Sequence, residues 1–482
     1  MSVLKGFLKD TVIYGFATVF PRIINFLLVK VHTDTLERNE YATNTDFYIW
    51  ASLFAVLLTF GMETTFFRFY NKEINKNKLI STGFLSTLFI TIIFALTLFT
   101  FFDFFLKIFN FKDNPLRLKL FIGILVFDTL AMIPFAYLRA INKPFKYTII
   151  KIINVLTIVS INLVFLKYIP DYIEQGKILP PIVQITFDDE NLVNYIFIAN
   201  IIGSIISFLL LIPYLSNFKL EFDFKLLRKM LLYSWPIVIA GIAYIINENL
   251  DKFLIKRLIG DEEMGIYSAC YKLSIFMNLY IMAFRLGAEP FFFNQAKKKN
   301  AKEVYSKVMT YFVIIGAVMF LGIVVYIDFF KLFINSDYWE ALAIVPIVLL
   351  ANLFLGIYHN ISIWYKLTDR TYFGMYFSIF GAFLTIVLNL VLIPKIGFMA
   401  CAWITLFTYV AMTLISYFYG RKYFKIPYNL FKIGMYLTTS ILFSLVSFIY
   451  FKENYWVSSI ILLLFIGFII LNEKKELNNL LR

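Results

Sequence analysis

Several ionisable side chains of this sequence stand inside long apolar runs, where they could contact a polar ligand or pair with one another. Arg22 follows Pro21 in the middle of the first run, and Asn25 lies three residues further on, on the same helical face. Proline frees a backbone carbonyl, which is tolerated where neighbouring groups or a cavity satisfy it. Because an ionisable residue inside a membrane span costs roughly 3 kcal/mol or more, this face either lines a central cavity or forms a buried structural pair.

The seventh apolar run ends in a second group of polar side chains. Glu248 and Asp251 share a face there, and Glu248 and Lys252 have the i, i+4 spacing of an ion pair. Arg285 and Glu289 have the same spacing in the next run, so mutual neutralisation is the alternative to a functional role. The candidate substrate-binding residues are therefore Arg22, Asn25, Glu248, Asp251 and Arg285.

Three acids, Glu63, Asp128 and Glu289, are candidates for coupling or gating. Glu63 lies five residues before Arg68, which is a poor spacing for a pair along one helix, and snorkelling to the membrane surface explains Arg68. Asp128 stands alone in its apolar run. It is either a titratable coupling site or a hydrogen-bond partner of a neighbouring helix.

The sequence contains no constellation typical of an enzyme. It has no phosphate-binding glycine-rich loop with lysine and no His/carboxylate spacing typical of a metal site. The two cysteines, Cys270 and Cys401, lie in separate apolar segments, so they indicate neither a disulfide framework nor a metal cluster. We therefore predict no catalytic residues, no metal and no cofactor. Transport would draw on an ion gradient, with H+ and Na+ both open, on the membrane potential or on the substrate gradient.

The elements that must position these residues are membrane-spanning helices. The chain has 482 residues, of which 60% are hydrophobic and only 16% charged, a composition far too apolar for a soluble domain. The formal net charge of +14 comes mostly from residues between apolar runs, so it indicates membrane topology and not nucleic-acid binding.

Windows of about 20 apolar residues predict about fourteen spans. These spans cover residues 11–31, 46–67, 79–106, 118–138, 147–168, 194–215, 228–250, 264–289, 304–327, 340–363, 372–393, 397–419, 430–450 and 455–472.

The distribution of basic residues predicts the orientation of the chain. With Met1 inside, the cytoplasmic segments hold about 27 lysines and arginines and the outer segments about 13, as the positive-inside rule requires. Because the number of spans is even, both termini are predicted to be cytoplasmic.

A repeat divides the predicted spans into two lobes. A shift of 226 positions aligns Gly61 with Gly287 and Glu63 with Glu289. Six spans in each copy make a parallel repeat, with a binding site expected between the halves. The predicted domains are an N-lobe at residues 1–225, a C-lobe at 226–425 and a C-terminal helix pair at 426–482.

These features resemble a known superfamily of transporters. The segment Phe7–Thr11, the tyrosines Tyr41 and Tyr267 at the start of spans 2 and 8, and the segment Phe60–Phe69 carry the likeness. Together with two six-helix lobes and a terminal pair, they resemble the multidrug/oligosaccharidyl-lipid/polysaccharide exporter superfamily. Within it, the chain is most similar to the polysaccharide biosynthesis flippases, which move lipid-linked O-antigen or capsule repeat units.

The resemblance implies a fold, a substrate and a cellular setting. It implies a V-shaped cavity that opens alternately to the two sides, and an undecaprenyl-pyrophosphate-linked oligosaccharide as substrate. Arg22 and Arg285 would hold the pyrophosphate while the prenyl tail stays in membrane lipid. It further implies a multi-pass monomer of the bacterial inner membrane, with polysaccharide polymerase and glycosyltransferases as candidate partners.

Two alternatives stay open at this point. A cation-coupled multidrug exporter of the same superfamily would need acids to dominate a cavity without essential arginines. A polytopic glycosyltransferase or polysaccharide polymerase would need a large polar outer loop, and the segment 169–191 is short for that task.

Overall fold

The computed structural model of the chain is built from helices. It describes residues 2–70, 73, 75–141, 143–215, 221–296, 298–368 and 370–480, without the side chains of 2–18, 182, 185, 186, 286, 289, 290, 294 and 475–480. The backbone divides into two compact units, Met1–Ile245 and Ile246–Arg482.

The N-terminal unit carries ten complete helices and the first part of an eleventh. These are α1 (Ser2–Thr35), α2 (Arg38–Thr59), α3 (Met62–Tyr70), α4 (Lys76–Thr100), α5 (Phe102–Ile108), α6 (Leu116–Ala140), α7 (Pro144–Leu163), α8 (Ile169–Glu174), α9 (Pro181–Thr186), α10 (Val193–Leu215) and the first part of α11 (Phe224–Leu258). A π-helical turn, Val164–Tyr168, joins α7 to α8.

The C-terminal unit carries the remainder of α11 and ten further α-helices. These are α12 (Asp261–Lys272), α13 (Ile275–Gln295), α14 (Ala301–Val325), α15 (Ile327–Phe330), α16 (Ile344–Ile361), α17 (Ile363–Leu367), α18 (Tyr372–Ile396), α19 (Met399–Tyr423), α20 (Leu430–Tyr450) and α21 (Tyr455–Leu480). Two short 3-10 helices, Lys331–Phe333 and Ser336–Ala341, follow α15.

The chain is a multi-pass membrane protein. In the described part of the structure, twelve helical segments are long and apolar enough to cross a membrane. The long helix α1 and the shorter apolar helix in Ile275–Arg285 stand where the first and eighth spans are predicted. The predicted all-helical architecture with about fourteen spans is thereby confirmed.

Both units pair their helices in the same order, as a parallel repeat requires. In the N-terminal unit, α6 packs on α2, α4 and α10, and α10 also packs on α7. In the C-terminal unit, α16 packs on α13, α14 and α19, and α19 also packs on α18. The fourth span (α6) and the tenth span (α16) are therefore the central helices of their units, and they are six spans apart, as in a repeat.

The division between the units falls inside α11, later than the predicted lobe boundary at residue 225. The reason is the packing of the first turns of this helix. Leu226 and Met230 are buried in one apolar cluster with Met62, Phe66 and residues of α4 and α6, all in the N-terminal unit. The C-terminal helices α20 and α21 pack on α14 and belong to the second compact unit.

The glycines of the predicted repeat differ in local structure. Phe60 and Gly61 both have positive φ and break the second span into α2 and α3. A shift of 226 residues would place a break at Gly287, but α13 runs through that position without one. The second copy breaks earlier, between α12 and α13. The Gly-x-Glu recurrence is therefore a likeness of sequence and not of backbone conformation.

Candidate functional site

Arg22 and Asn25 lie on α1 just before a packed stretch of the same helical face. Phe26 and Val29, four and seven residues after Arg22, are each only 4% exposed. Both polar side chains are exposed, and neither forms a hydrogen bond or ion pair with the residues that the structure describes. Among the described residues, no acid balances the charge of this arginine within its span.

A second cationic group lies where α3, α6 and α7 meet. The Arg139 guanidinium on α6 forms an ion pair with the carboxylate of Glu63 on α3. The same guanidinium lies 4.8 Å from the ring centre of Phe67 and 5.6 Å from that of Tyr147 on α7. Cation and ring faces in this arrangement attract each other, so the aromatic side chains hold the arginine in place.

Asp128 on α6 interacts with the hydroxyl of Ser204 on α10 and faces the Lys151 ammonium on α7. That ammonium lies 4.2 Å from the ring centre of Phe135. These contacts fit the interpretation of Asp128 as a partner of neighbouring helices. Of Arg22, Arg139 and Lys151 in the N-terminal unit, Arg22 is the one without an acid partner among the described residues.

The C-terminal unit holds a compact cluster of buried charges. Lys252 and Asp251 are 5% and 3% exposed. The Lys252 ammonium donates to Asp251 Oδ1 at 3.2 Å and to the Glu248 carbonyl oxygen at 2.7 Å. It also lies 3.7 Å from the ring centre of Tyr271. The lysine therefore pairs with its sequence neighbour Asp251, and with the backbone of Glu248 rather than its carboxylate.

Three tyrosines complete this cluster. Tyr267 Oη donates to Asp251 Oδ2 at 2.7 Å. Tyr271 and Tyr409 donate to the two oxygens of Glu248, at 3.0 and 3.1 Å. All four carboxylate oxygens of the cluster thus accept a hydrogen bond from a lysine or tyrosine. A buried carboxylate is held well only when its lone pairs are satisfied in this way.

The residues beside the cluster connect α11 to α18. Thr385 Oγ1 donates to Asn247 Oδ1 at 3.0 Å, and Asn247 Nδ2 donates to the Ser378 carbonyl at 3.4 Å. Lys272 lies close enough to Glu248 and Lys252 to interact with both electrostatically. With two acids and two lysines in their charged forms, the group is electrically balanced.

Arg285 is exposed on α13 and interacts electrostatically with His359 on α16. Its predicted partner, Glu289, has a described backbone within α13, but its side chain lies outside the described part of the structure. Pairing of Arg285 with Glu289 therefore stays a prediction.

An ion pair at the ends of two spans ties two helix ends together in the N-terminal unit. The Lys78 ammonium lies 2.7 Å from Asp223 Oδ2, joining the start of α4 to the turn before α11. The hydrogen bond from Lys78 holds the pKa of the Asp223 carboxyl below its usual range. This contact anchors the two spans at one membrane surface.

The sequence pointed to some residues of these polar groups but not to all of them. It singled out Arg22, Asn25, Glu63, Asp128, Glu248, Asp251 and Arg285. It missed Arg139 and Lys151, which stand near the ends of apolar runs and look there like topological anchors. It also gave no hydrogen-bonding role to Tyr267, Tyr271 and Tyr409. The available signal was the i, i+4 spacing of Tyr267 and Tyr271, which places both tyrosines on one face of α12.

The fold matches that of solved membrane transporters. Lipid II flippase MurJ, in an inward closed conformation, superposes with a TM-score of 0.75 over 97% of this chain and 100% of that chain, at 16% identity. An inward-facing multidrug resistance MATE family transporter of the MOP superfamily gives a TM-score of 0.62 over 87% of this chain and 96% of its own, at 11% identity. At these identities the likeness defines a class of fold, that of the two-lobe transporters.

The family follows from the sequence comparisons. The profile of the family described as polysaccharide biosynthesis protein matches residues 7–294, which is more than half of the chain. The MatE profile matches residues 236–391. An Lsg locus protein of Haemophilus influenzae is 19% identical over 301 residues, which are 61% of this chain and 67% of that protein.

The chain therefore belongs to the polysaccharide biosynthesis protein family, whose structural neighbours are the MurJ and MATE transporters. This is a family of transporters and not of enzymes. The predicted family and superfamily are confirmed.

Proposed function

We propose that this protein is a flippase for undecaprenyl-pyrophosphate-linked oligosaccharides, such as repeat units of lipopolysaccharide O-antigen or capsule. It works by alternating access in the bacterial inner membrane, with both termini in the cytoplasm. The family match and the fold shared with the lipid II flippase support the class of substrate.

The observation that carries this proposal is the position of Arg22. Its guanidinium is exposed in the middle of α1 and has no acid partner among the described residues. A planar guanidinium binds two phosphate oxygens at once, and this interaction is strong where water is scarce. A pyrophosphate that passes through the membrane supplies the missing negative charge.

The other polar residues take secondary roles in this proposal. Asn25, one turn from Arg22, contacts the sugar, and Arg285 provides a second cation in the other unit. Glu248 and Asp251 are the substrate-binding candidates of the C-terminal unit, while Glu63, Asp128 and Glu289 act in coupling or gating. The driving ion is H+ or Na+. The prenyl tail stays in membrane lipid, and the protein works as a monomer beside glycosyltransferases and a polymerase.

The first test is substitution of Arg22 in cells that depend on this protein for surface polysaccharide. Arg22→Gln removes a charge-assisted contact of about 1.5–3 kcal/mol, so export should fall at least tenfold. Arg22→Lys keeps the charge but loses the bidentate geometry, and it should restore export only in part.

Arg228→Gln is the matched control, because Arg228 is an exposed arginine at the start of α11, near the end of the span. It should leave export unchanged. Normal export by Arg22→Gln at equal protein levels would refute the role of Arg22.

A cation-coupled multidrug exporter is the second candidate. The observation that favours it is the acid cluster of Glu248 and Asp251, which lies inside the segment matched by the MatE profile. Dye efflux from cells separates the two functions. Efflux that is lost in Glu248→Gln but kept in Arg22→Gln would favour the drug exporter.

A further inference from the structure

A cavity of about 320 Å³ opens at one end of three helices of the C-terminal unit. It lies where α14 and α20 begin and α21 approaches its end, so it stands at the depth of a membrane surface. Its volume equals about ten water molecules at about 30 Å³ each. It is lined by Glu303, Ser306, Lys307, Thr310, Tyr311, Pro427, Asn429, Lys432 and Glu473.

Among the described residues, the wall of this cavity carries both signs of charge in equal number. Lys307 and Lys432 supply two positive charges, and Glu303 and Glu473 supply two negative charges. The Glu473 side chain is 4% exposed. Its carboxylate accepts hydrogen bonds from Lys432 Nζ at 2.8 and 2.9 Å and from Tyr436 Oη at 2.7 Å. The buried acid thus holds Lys432 at the cavity wall.

Helix α14 contributes a continuous polar face to the same cavity. Glu303, Lys307 and Thr310 recur at the three- and four-residue spacing that places side chains on one side of a helix. Glu303 and Lys307 are both exposed, one turn apart. An acidic and a basic side chain therefore lie next to each other on the cavity wall.

Helices α20 and α21 also carry exposed apolar side chains close in sequence to the lining residues. Phe431 is 82% exposed beside Lys432, and Leu471 is 76% exposed near Glu473. Large apolar side chains exposed at the protein surface are stable in a membrane when they contact lipid hydrocarbon chains. An occupant that suits a wall of both charges at the end of membrane helices has a small head with both signs of charge and hydrocarbon chains.

We propose that this cavity binds the headgroup of a zwitterionic phospholipid with a primary amine, namely phosphatidylethanolamine. Its phosphate lies against Lys307 and Lys432, and its ammonium donates to Glu303. An anionic headgroup would set its extra negative charge against Glu303 and Glu473. A choline headgroup has no N–H to donate to a carboxylate. This site does not depend on which substrate the protein transports.

Native mass spectrometry of the purified protein tests the proposal. Phosphatidylethanolamine, phosphatidylcholine and phosphatidylglycerol with identical acyl chains are added at equal concentration, and the first bound lipid is counted. We expect phosphatidylethanolamine to bind about fivefold more than either other lipid, the ratio that corresponds to about 1 kcal/mol. Equal binding of the three lipids, or a preference for phosphatidylglycerol, would overturn the proposal.

Two variants locate the site. Glu303→Gln should remove the preference for the amine headgroup and leave phosphatidylcholine binding unchanged. Lys307→Gln should weaken both zwitterionic lipids, because both carry the phosphate. Glu221→Gln, which changes an exposed acid before α11, is the control and should keep the wild-type preference. A preference that survives Glu303→Gln and Lys307→Gln would place the lipid elsewhere.

Discussion

Lys252→Met is the substitution whose effect the structure defines most sharply. The ammonium of Lys252 is buried and contacts Asp251 Oδ1, the Glu248 carbonyl and the ring face of Tyr271. Methionine has a similar length but no charge. It leaves the Asp251 carboxylate, which is 3% exposed, with two neutral donors, the backbone N–H of residue 252 and the Tyr267 hydroxyl, and without a positive charge bonded to it.

The expected magnitude follows from the burial of that carboxylate. Removing one member of a buried ion pair costs about 3–5 kcal/mol, because the other charge stays in a low-dielectric place without compensation. Replacing both members by neutral groups costs much less. At about 2–4 °C per kcal/mol for a unit of this size, Lys252→Met should lower the thermal midpoint by about 6–20 °C. The double variant Asp251→Asn with Lys252→Met should recover at least half of that loss.

Thermal unfolding of the purified protein in detergent, followed by intrinsic fluorescence, measures these shifts. Lys229→Met is the matched control, since Lys229 is an exposed lysine on the same helix α11. It should change the midpoint by no more than about 1 °C, as surface substitutions do. A double variant as unstable as Lys252→Met alone would refute the description of a compensated charge cluster.

Further predictions concern the helix break and the cysteines. Gly61→Ala should destabilise the protein by about 1–2 kcal/mol, because φ is positive there and a Cβ would approach Ile237 Cγ2 to 3.1 Å. Gly287→Ala, which meets open space inside α13, should be neutral or stabilise by up to about 1 kcal/mol. Equal thermal midpoints for the two variants would contradict this difference. Cys270 and Cys401 are both buried, so a maleimide should label neither until the protein is denatured; rapid labelling under native conditions would contradict their placement.

The spans could be predicted from the sequence because hydropathy is a local property. Windows of apolar residues placed each predicted span on helical segments of the structure, although α1, α2 and α11 extend eight or nine residues beyond the predicted bounds. The six-span repeat matches the helix pairing of the two units. The break at Phe60 and Gly61 was not predicted. It depends on left-handed backbone at one non-glycine residue and on the packing of Gly61 against Ile237.

The candidate site was predictable only in part, because its partners are far apart in the chain. Unusual residues such as Arg22 and Asp251 could be found from their apolar surroundings alone. Their partners could not, since Tyr409 reaches Glu248 across 161 positions and Arg139 reaches Glu63 from a different span. For Lys252 the i, i+4 rule suggested the Glu248 carboxylate, but the ammonium lies closer to the backbone oxygen and to Asp251. Tertiary packing decided which of two nearby acids receives the cation.

Translocation by the purified protein in proteoliposomes tests the central claim most directly. An undecaprenyl-pyrophosphate-linked oligosaccharide is placed in the vesicles, and its exposure on the outer surface is followed with a sugar-specific lectin. We predict that the wild-type protein equilibrates this glycolipid between the two leaflets, and that Arg22→Gln slows the process at least tenfold, as loss of about 1.4 kcal/mol or more requires. The proposed flippase function would be contradicted if the wild-type protein moved the pyrophosphoryl-linked glycolipid no faster than protein-free vesicles do.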